Sequence, residues 1–328
     1  MYSEIQQFNE NNSPYILSHQ FLEGKKMSIT KLDQIVEAVK SRPRKRLIAA
    51  FANDAHTIEA VSKAIDLGIV EGTLVGDTAE IERICLIEGI DAGKFTIIHQ
   101  TNENKAATKA VELINEGEGN LIMKGLLSTD KYMRAILNKE TGLMDPGSIL
   151  SHVSVIENPF YKKLMICGDV AIIPLPDLKQ KIAIANYLIE TAHALGIALP
   201  KLAVISATEL ILVAMPACID AAIIAKMAER GQIKGALVDG PLSLDVAINK
   251  EAAEIKNIGS PVAGDADCFL FPNIEAGNIF YKTSTKLCGA ELGAFVAGAR
   301  VPAILSSRGD SALTKMYSIA LSALVAKN

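Results

Sequence analysis

LIAAFANDAHTIEAVSKAIDLGIVEGTLV, residues 47–75, is the stretch on which the fold reading turns. Residues 47–52 are apolar enough for a strand buried on both faces. Residues 55–67 read as a helix with Gly68 as its C-terminal stop, and 73–75 as a second strand closed by Gly76-Asp77. Downstream the pattern repeats, with a helix from 79 to 88, a strand at 95–99, a helix over 104–116 and a strand at 120–123. Strands and helices alternating through connections of a few residues dictate a parallel sheet with right-handed crossovers.

Upstream, residues 28–40 carry Leu32, Ile35, Val36 and Val39 on one helical face, while residues 1–26 show no period and read as an N-terminal extension. Between this helix and the first strand lies a basic run, Arg42-Pro43-Arg44-Lys45-Arg46; it reads as a solvated approach to the strand or as an anion patch, and Pro43 argues against a helix. Beyond a Gly- and Pro-rich break at 138–151, strands are expected at 149–156, 163–167, 202–205, 237–238 and 269–271. Helices are expected at 178–195, at 216–230 with Pro216 at its first position, and at 286–297 leading into a last strand. That strand and the final helix return to the first unit. The expected organisation is a discontinuous α/β domain (27–147 plus 300–328) and a second α/β domain (148–299), both with mainly parallel sheets, and a ligand cleft between them.

Bulk properties narrow the function. The chain has 328 residues, 49% of them hydrophobic, no tryptophan and a formal net charge of −4. It offers no global basic field for nucleic acid, so an anionic ligand must be held by local groups. The five cysteines (Cys85, Cys167, Cys218, Cys268 and Cys288) are scattered through apolar stretches without metal-ligand spacing, which points to reduced thiols in the cytoplasm. The N-terminus has no secretory signal pattern. The apolar run 210–219 is interrupted by Pro216 and followed by Asp220, so no membrane span is expected.

Two strand-to-helix turns carry the chemistry. VPAILSSRGDS, 301–311, ends a strand in hydroxyls, a guanidinium, a glycine and a carboxylate. It is either an anion site or a plain turn with Ser311 as helix cap. KGLLST, 124–129, places a lysine at a strand end, a glycine and two hydroxyl caps, with Arg134 five residues beyond Thr129. The acidic stretches at Asp239-Gly240-Pro241 and Asp265-Ala266-Asp267 read as turns rather than metal sites, and His152 as a structural histidine. Gly117-Glu118-Gly119 lacks the third glycine of a dinucleotide fingerprint and precedes a strand, and no P-loop is present.

The stretches 124–134 (KGLLSTDKYMR), 149–152 (ILSH), 215–248, 262–282 and 298–311 resemble the phosphate acetyltransferase/phosphate butyryltransferase family, most closely its butyryltransferase branch. The resemblance runs from about residue 27 to the end. It implies two α/β domains around a cleft, related to isocitrate and isopropylmalate dehydrogenases. The implied reaction is acyl-CoA plus phosphate giving acyl phosphate plus CoA, with coenzyme A as substrate or product, no tightly bound cofactor and no metal. It further implies a homodimer or larger homo-oligomer and a pathway link to an acyl (butyrate or acetate) kinase.

The resemblance places Ser307 and Arg308 in catalysis and substrate binding and adds Arg134. The acetyltransferase branch has a catalytic aspartate within the final helix, where this chain has Thr314, so Asp310 becomes the candidate base. An active-site arginine of that branch ahead of residue 124 has no counterpart. Catalytic expectations are therefore Ser307, Arg308, Asp310 and Arg134, with Lys124, Gly125, Ser128 and Thr129 binding substrate. The rival chemistries are a ping-pong route through Cys167 or Cys268, a non-catalytic acyl-CoA sensor and a metal-dependent dehydrogenase.

Overall fold

The structure, a computed structural model, describes residues 28–305 and 311–327. In chain order the elements are α1 (Leu32–Lys40), β1 (Lys45–Ala50), α2 (Ala55–Asp66), β2 (Val70–Gly76), α3 (Thr78–Glu88), β3 (Phe95–His99), α4 (Glu103–Asn115), β4 (Leu121–Lys124) and α5 (Thr129–Ile136). After the break come β5 (Ser151–Glu157), β6 (Leu164–Gly168), α6 (Leu178–Ala194), β7 (Lys201–Ile205), α7 (Pro216–Glu229), β8 (Leu237–Leu242), α8 (Leu244–Ile248), α9 (Lys250–Ile255) and β9 (Cys268–Leu270). The chain closes with α10 (Ile274–Lys286), β10 (Glu291–Ala297), β11 (Ala303–Ile304) and α11 (Ala312–Val325).

These strands form one 11-stranded sheet in the order β3-β2-β1-β4-β11-β10-β5-β6-β9-β7-β8. Pairing is parallel except at β11–β10, β10–β5 and β5–β6. The parallel strands are apolar along their length because helices cover both faces. One face carries α1, α2, α3, α6, α7 and α11 on a core that runs across the sheet, from Leu74 through Leu47 and Phe295 to Leu270. The other face carries two separate cores. One packs α4 and α5 on Ile48, Ile122 and Val296; the other packs α8, α9 and α10 on Cys167, Ala203 and Phe269.

Two sequence expectations need correction. Residues 291–297 are β10, not the end of a helix; the helix is α10, which ends at Lys286. The segment ELGAFVA is buried on both faces because it lies between β5 and β11, and an α-helix there would leave half of it exposed. Asp239-Gly240-Pro241 belongs to β8 rather than to a turn. As the outermost strand β8 tolerates proline, and the register shift opposite Ala203 and Ile205 absorbs it. The short helices α8 and α9 follow β8, and neither is long enough to show a helical period in the sequence.

The basic run is a solvated approach only at Pro43 and Arg44, which are exposed; its other cations are tied to backbone carbonyls. Arg42 donates to Leu324 O at 3.1 Å and Lys45 to Lys327 O at 3.3 Å, both at the end of α11. Arg46 donates to Gly117 O, just past α4, and pairs with Glu118 at 2.9 Å. Helix C-termini present unsatisfied carbonyls and partial negative charge, and these cations answer them.

Candidate active site

Open parallel sheets bind ligands beyond the carboxyl ends of their strands, where the following helices begin. Along that edge β3 leads to α4 capped by Asn102, β2 to α3 capped by Asp77 and β1 to α2 capped by Asp54. The neighbouring strands β4 and β11 lead to α5 capped by Ser128 and α11 capped by Ser311. Asp54 accepts Thr57 N at 2.9 Å and Asp77 accepts Ala79 N at 3.1 Å, so a carboxylate already answers the positive end of α2 and of α3. Ser128 accepts Lys131 N at 3.3 Å and Ser311 accepts Thr314 N at 3.0 Å. A hydroxyl satisfies an N–H without neutralising the helix end; α5 adds the carboxylate of Asp130 in its first turn while α11 has no acidic residue there, so the caps favour an anion most beside β11.

The β4 turn is built around Gly125. Its N–H donates to Ala50 O at 2.9 Å and the next N–H, of Leu126, to Phe51 O at 2.8 Å. A Cβ on Gly125 would lie 2.3 Å from Phe51 O and 2.8 Å from Ala50 O, so only glycine lets the turn lie this close to β1. Lys124 is buried, and its Nζ donates to Gly125 O and Leu127 O at 3.1 Å each. These bonds shape the turn from inside. Ser128 and Thr129 stand exposed at the start of α5, which Tyr132 pins to β4 through a 3.1 Å bond to Ile122 O.

Arg134 lies on the same helix, but its side chain is 79% exposed and its Nε donates to Asp130 Oδ1 at 3.0 Å. Residues 306–310 are flanked by β11 and by the cap of α11. Ile304 pairs with Met123, so the strand leaves the sheet level with Lys124, and the chain re-enters at the cap Ser311. Ser307, Arg308 and Asp310 lie outside the described residues. The described structure therefore brings Lys124, Gly125, Ser128 and Thr129 together near the end of β11, and leaves Arg134 on an exposed pair.

His152 lies on β5, buried, with Nδ1 3.2 Å from Ser154 Oγ. Its backbone N–H and the Ser151 hydroxyl both donate to the buried carboxylate of Asp169, which also accepts Ala171 N, Ile172 N and Ile173 N. This hub orders the chain after β6; an aspartate directly after a strand, placed to accept the backbone N–H two residues on, is the signal that finds it. The acidic stretch at Asp265 and Asp267 is ion-paired. Lys162, Lys163 and Lys201 approach Asp265 at 3.1, 3.0 and 2.9 Å, and Lys163 also reaches Asp267. Burial alone would raise the Asp265 carboxyl; the hydrogen bonds from these lysines outweigh it and hold the group far below the usual carboxylate range. Among the described residues, no cluster of His, Cys, Asp and Glu is arranged to hold a metal, and no helix is long and apolar enough to cross a membrane. Cys167 and Cys268 are buried within strands, and burial pushes both thiols above their ordinary range.

Comparison with known proteins bears on what this edge serves. Residues 93–323 match the family described as phosphate acetyl/butaryl transferase. The phosphate butyryltransferase of Clostridium acetobutylicum is 47% identical over 300 residues, which cover 92% of this chain and 99% of that protein. The phosphate acetyltransferase of Thermotoga maritima is 40% identical over 295 residues, covering 90% of this chain and 99% of that one. In three dimensions, a branched-chain phosphotransacylase from Enterococcus faecalis superposes with a TM-score of 0.74 at 28% identity, covering 86% of this chain and all of its own.

Proposed function

Since the chain belongs to the phosphate acetyl/butaryl transferase family and is a phosphate acyltransferase, we propose that it exchanges phosphate with the CoA of butyryl-CoA or a related short or branched acyl-CoA. The observation that carries this choice is the 47% identity to a butyryltransferase across 99% of that protein's length. Acetyl-CoA is the second reading, favoured by the 40% identity to an acetyltransferase. Initial rates with acetyl-, propionyl-, butyryl- and isobutyryl-CoA and phosphate decide between them: the four-carbon thioesters should have the highest kcat/KM, and an acetyl-CoA optimum would overturn the choice.

The chemistry is exchange at one carbonyl carbon. Phosphate attacks the thioester, an oxyanion develops, and the CoA thiolate leaves; in reverse the thiol must lose its proton first. In this reading Arg308 and Arg134 clamp the phosphate, Ser307 donates to the oxyanion or the CoA sulfur, and Asp310 accepts the thiol proton. The Ser128 and Thr129 end of α5 faces the phosphate charge, and Lys124 holds the turn that presents it. Arg134 must leave Asp130 to join the clamp, and an exposed ion pair costs only about 0.2–1 kcal/mol to break. Transfer is direct, within a ternary complex. The buried Cys167 and Cys268, with thiols raised by burial, make poor nucleophiles and disfavour a cysteine-bound acyl group. Isolating acyl-protein that survives denaturation would refute direct transfer, and a normal rate across pH in Asp310→Asn would remove Asp310 as the base.

The two separate cores on one sheet face support a division into units 27–147 plus 300–328 and 148–299, with CoA lying between them. The pairing of β11 with β4 and the packing of α11 on α1 and α2 support the return of the last segment to the first unit. Coenzyme A enters only as substrate or product, an acyl kinase consumes the acyl phosphate, and the enzyme works in the cytoplasm as a homo-oligomer.

A further inference from the structure

The two chain crossings between the halves of the sheet meet at one joint, at the end of β11 opposite the candidate active site. One crossing is the 138–150 segment and the other is 298–302. They pair through an isolated bridge between Met144 and Ala299, and Arg300 N donates to Leu143 O at 2.9 Å. The Arg300 guanidinium donates to Asp145 at 3.0 Å and to Asn115 at 2.7 Å. From α6 the Tyr187 hydroxyl donates to Ile149 O at 2.9 Å. Gly298, at φ +100°, lies against that carbonyl: a Cβ there would be 2.0 Å from Ile149 O and 3.0 Å from the Tyr187 oxygen.

Beside this joint lies a cavity of about 450 Å³, walled by both crossings, by α6 and by the end of α11. Its volume falls within the range of small-molecule sites. Phe295, Ala297, Ala194 and Val325 give it an apolar floor, with Glu190 and Lys327 at its polar boundary. Among the described residues neither the Glu190 carboxylate nor the Lys327 ammonium forms an ion pair, with each other or with a third group. Arg300 adds a second cation whose other nitrogens already serve the joint. Arg300 and Asp145 already neutralise each other, so the uncompensated charges at the boundary are Glu190 and Lys327, one of each sign. One small molecule with both charges and an apolar body satisfies every wall.

We propose that this cavity binds an apolar α-amino acid. The carboxylate lies toward Lys327 and Arg300, the ammonium toward Glu190, and the side chain on the Phe295–Val325 floor. Because both crossings wall the cavity, its occupant ties the joint together and acts away from the reacting groups.

The test is calorimetric titration of the full chain with L-valine, with isobutyrate and isobutylamine as single-charge analogues. Valine should bind saturably, and each analogue should bind more weakly. Glu190→Gln and Lys327→Met, both exposed positions outside the proposed active site, should each weaken valine roughly three- to fivefold, the upper range for an exposed ion pair. No saturable binding of valine, binding of isobutyrate as tight as valine, or undiminished binding in both variants would each overturn the proposal. The readout is independent of acyl transfer, so failure here leaves the acyltransferase reading standing.

Discussion

The carboxyl edge of β2, β1, β4 and β11 divides into two regions that look alike in cartoon and differ in charge. At β1 and β2 the turns end in Asp54 and Asp77, which cap α2 and α3. At β4 and β11 they end in Ser128 and Ser311. Aspartate and serine are nearly equivalent as caps, so helix stability does not explain the difference. They are opposite as neighbours of an anion. α2 and α3 are closed by carboxylate caps, α5 has a hydroxyl cap with Asp130 in its first turn, and α11 has a hydroxyl cap with no acidic residue in its first turn.

The largest expected effect lies on the serine side. Arg308→Ala should lower kcat/KM for acyl transfer about 10²–10³-fold, the scale for removing a charge-stabilising donor, with the unfolding midpoint unchanged. An activity near wild type would move the phosphate site away from β11. Gly125→Ala comes next, and its effect is on the fold. The added methyl meets two backbone oxygens, which cannot rotate away, so we expect a loss of about 1–3 kcal/mol in urea denaturation together with weakened phosphate saturation.

A direct exchange of caps tests the comparison itself. Ser128→Asp should leave α5 as stable as before yet raise KM for phosphate roughly three- to tenfold, because a carboxylate would share the helix end with the ligand. Asp77→Ser on α3 should leave that KM unchanged. Equal responses at both caps would mean that the charge pattern along the edge has no bearing on binding.

Legibility in the sequence followed the same edge. The first half could be read closely because its helices end at glycines such as Gly68 and Gly89 and begin at short polar caps, all local signals. The second half hid more. β10 looks helical from its composition and is a strand only because β5 and β11 flank it, a contact no local window contains. β8 carries Gly240-Pro241, ordinary turn residues that an edge strand accepts through a bulge. In the candidate site, Lys124, Gly125, Ser128 and Thr129 were visible as a strand-to-helix turn. Two features were not. The Lys124 ammonium turns inward to the turn's own carbonyls, and Arg134 pairs with Asp130, because side-chain direction depends on neighbours that spacing does not specify.

That pairing sets the smallest and most selective test. Asp130 and Arg134 are an i, i+4 pair with side chains 67% and 79% exposed, so their attraction is worth about 0.3–0.5 kcal/mol. If Arg134 must leave Asp130 to reach phosphate, Asp130→Asn removes a competitor for the guanidinium and a negative charge from the first turn of α5. Phosphate KM should then fall by about twofold at low ionic strength, and the gain should shrink as salt screens the charges. The same substitution in an Arg134→Ala background should give a smaller gain, since only the helix-end charge remains to be removed. An identical gain in both backgrounds would show that Arg134 stays with the solvent, leaving the anion to the helix ends and Arg308 alone.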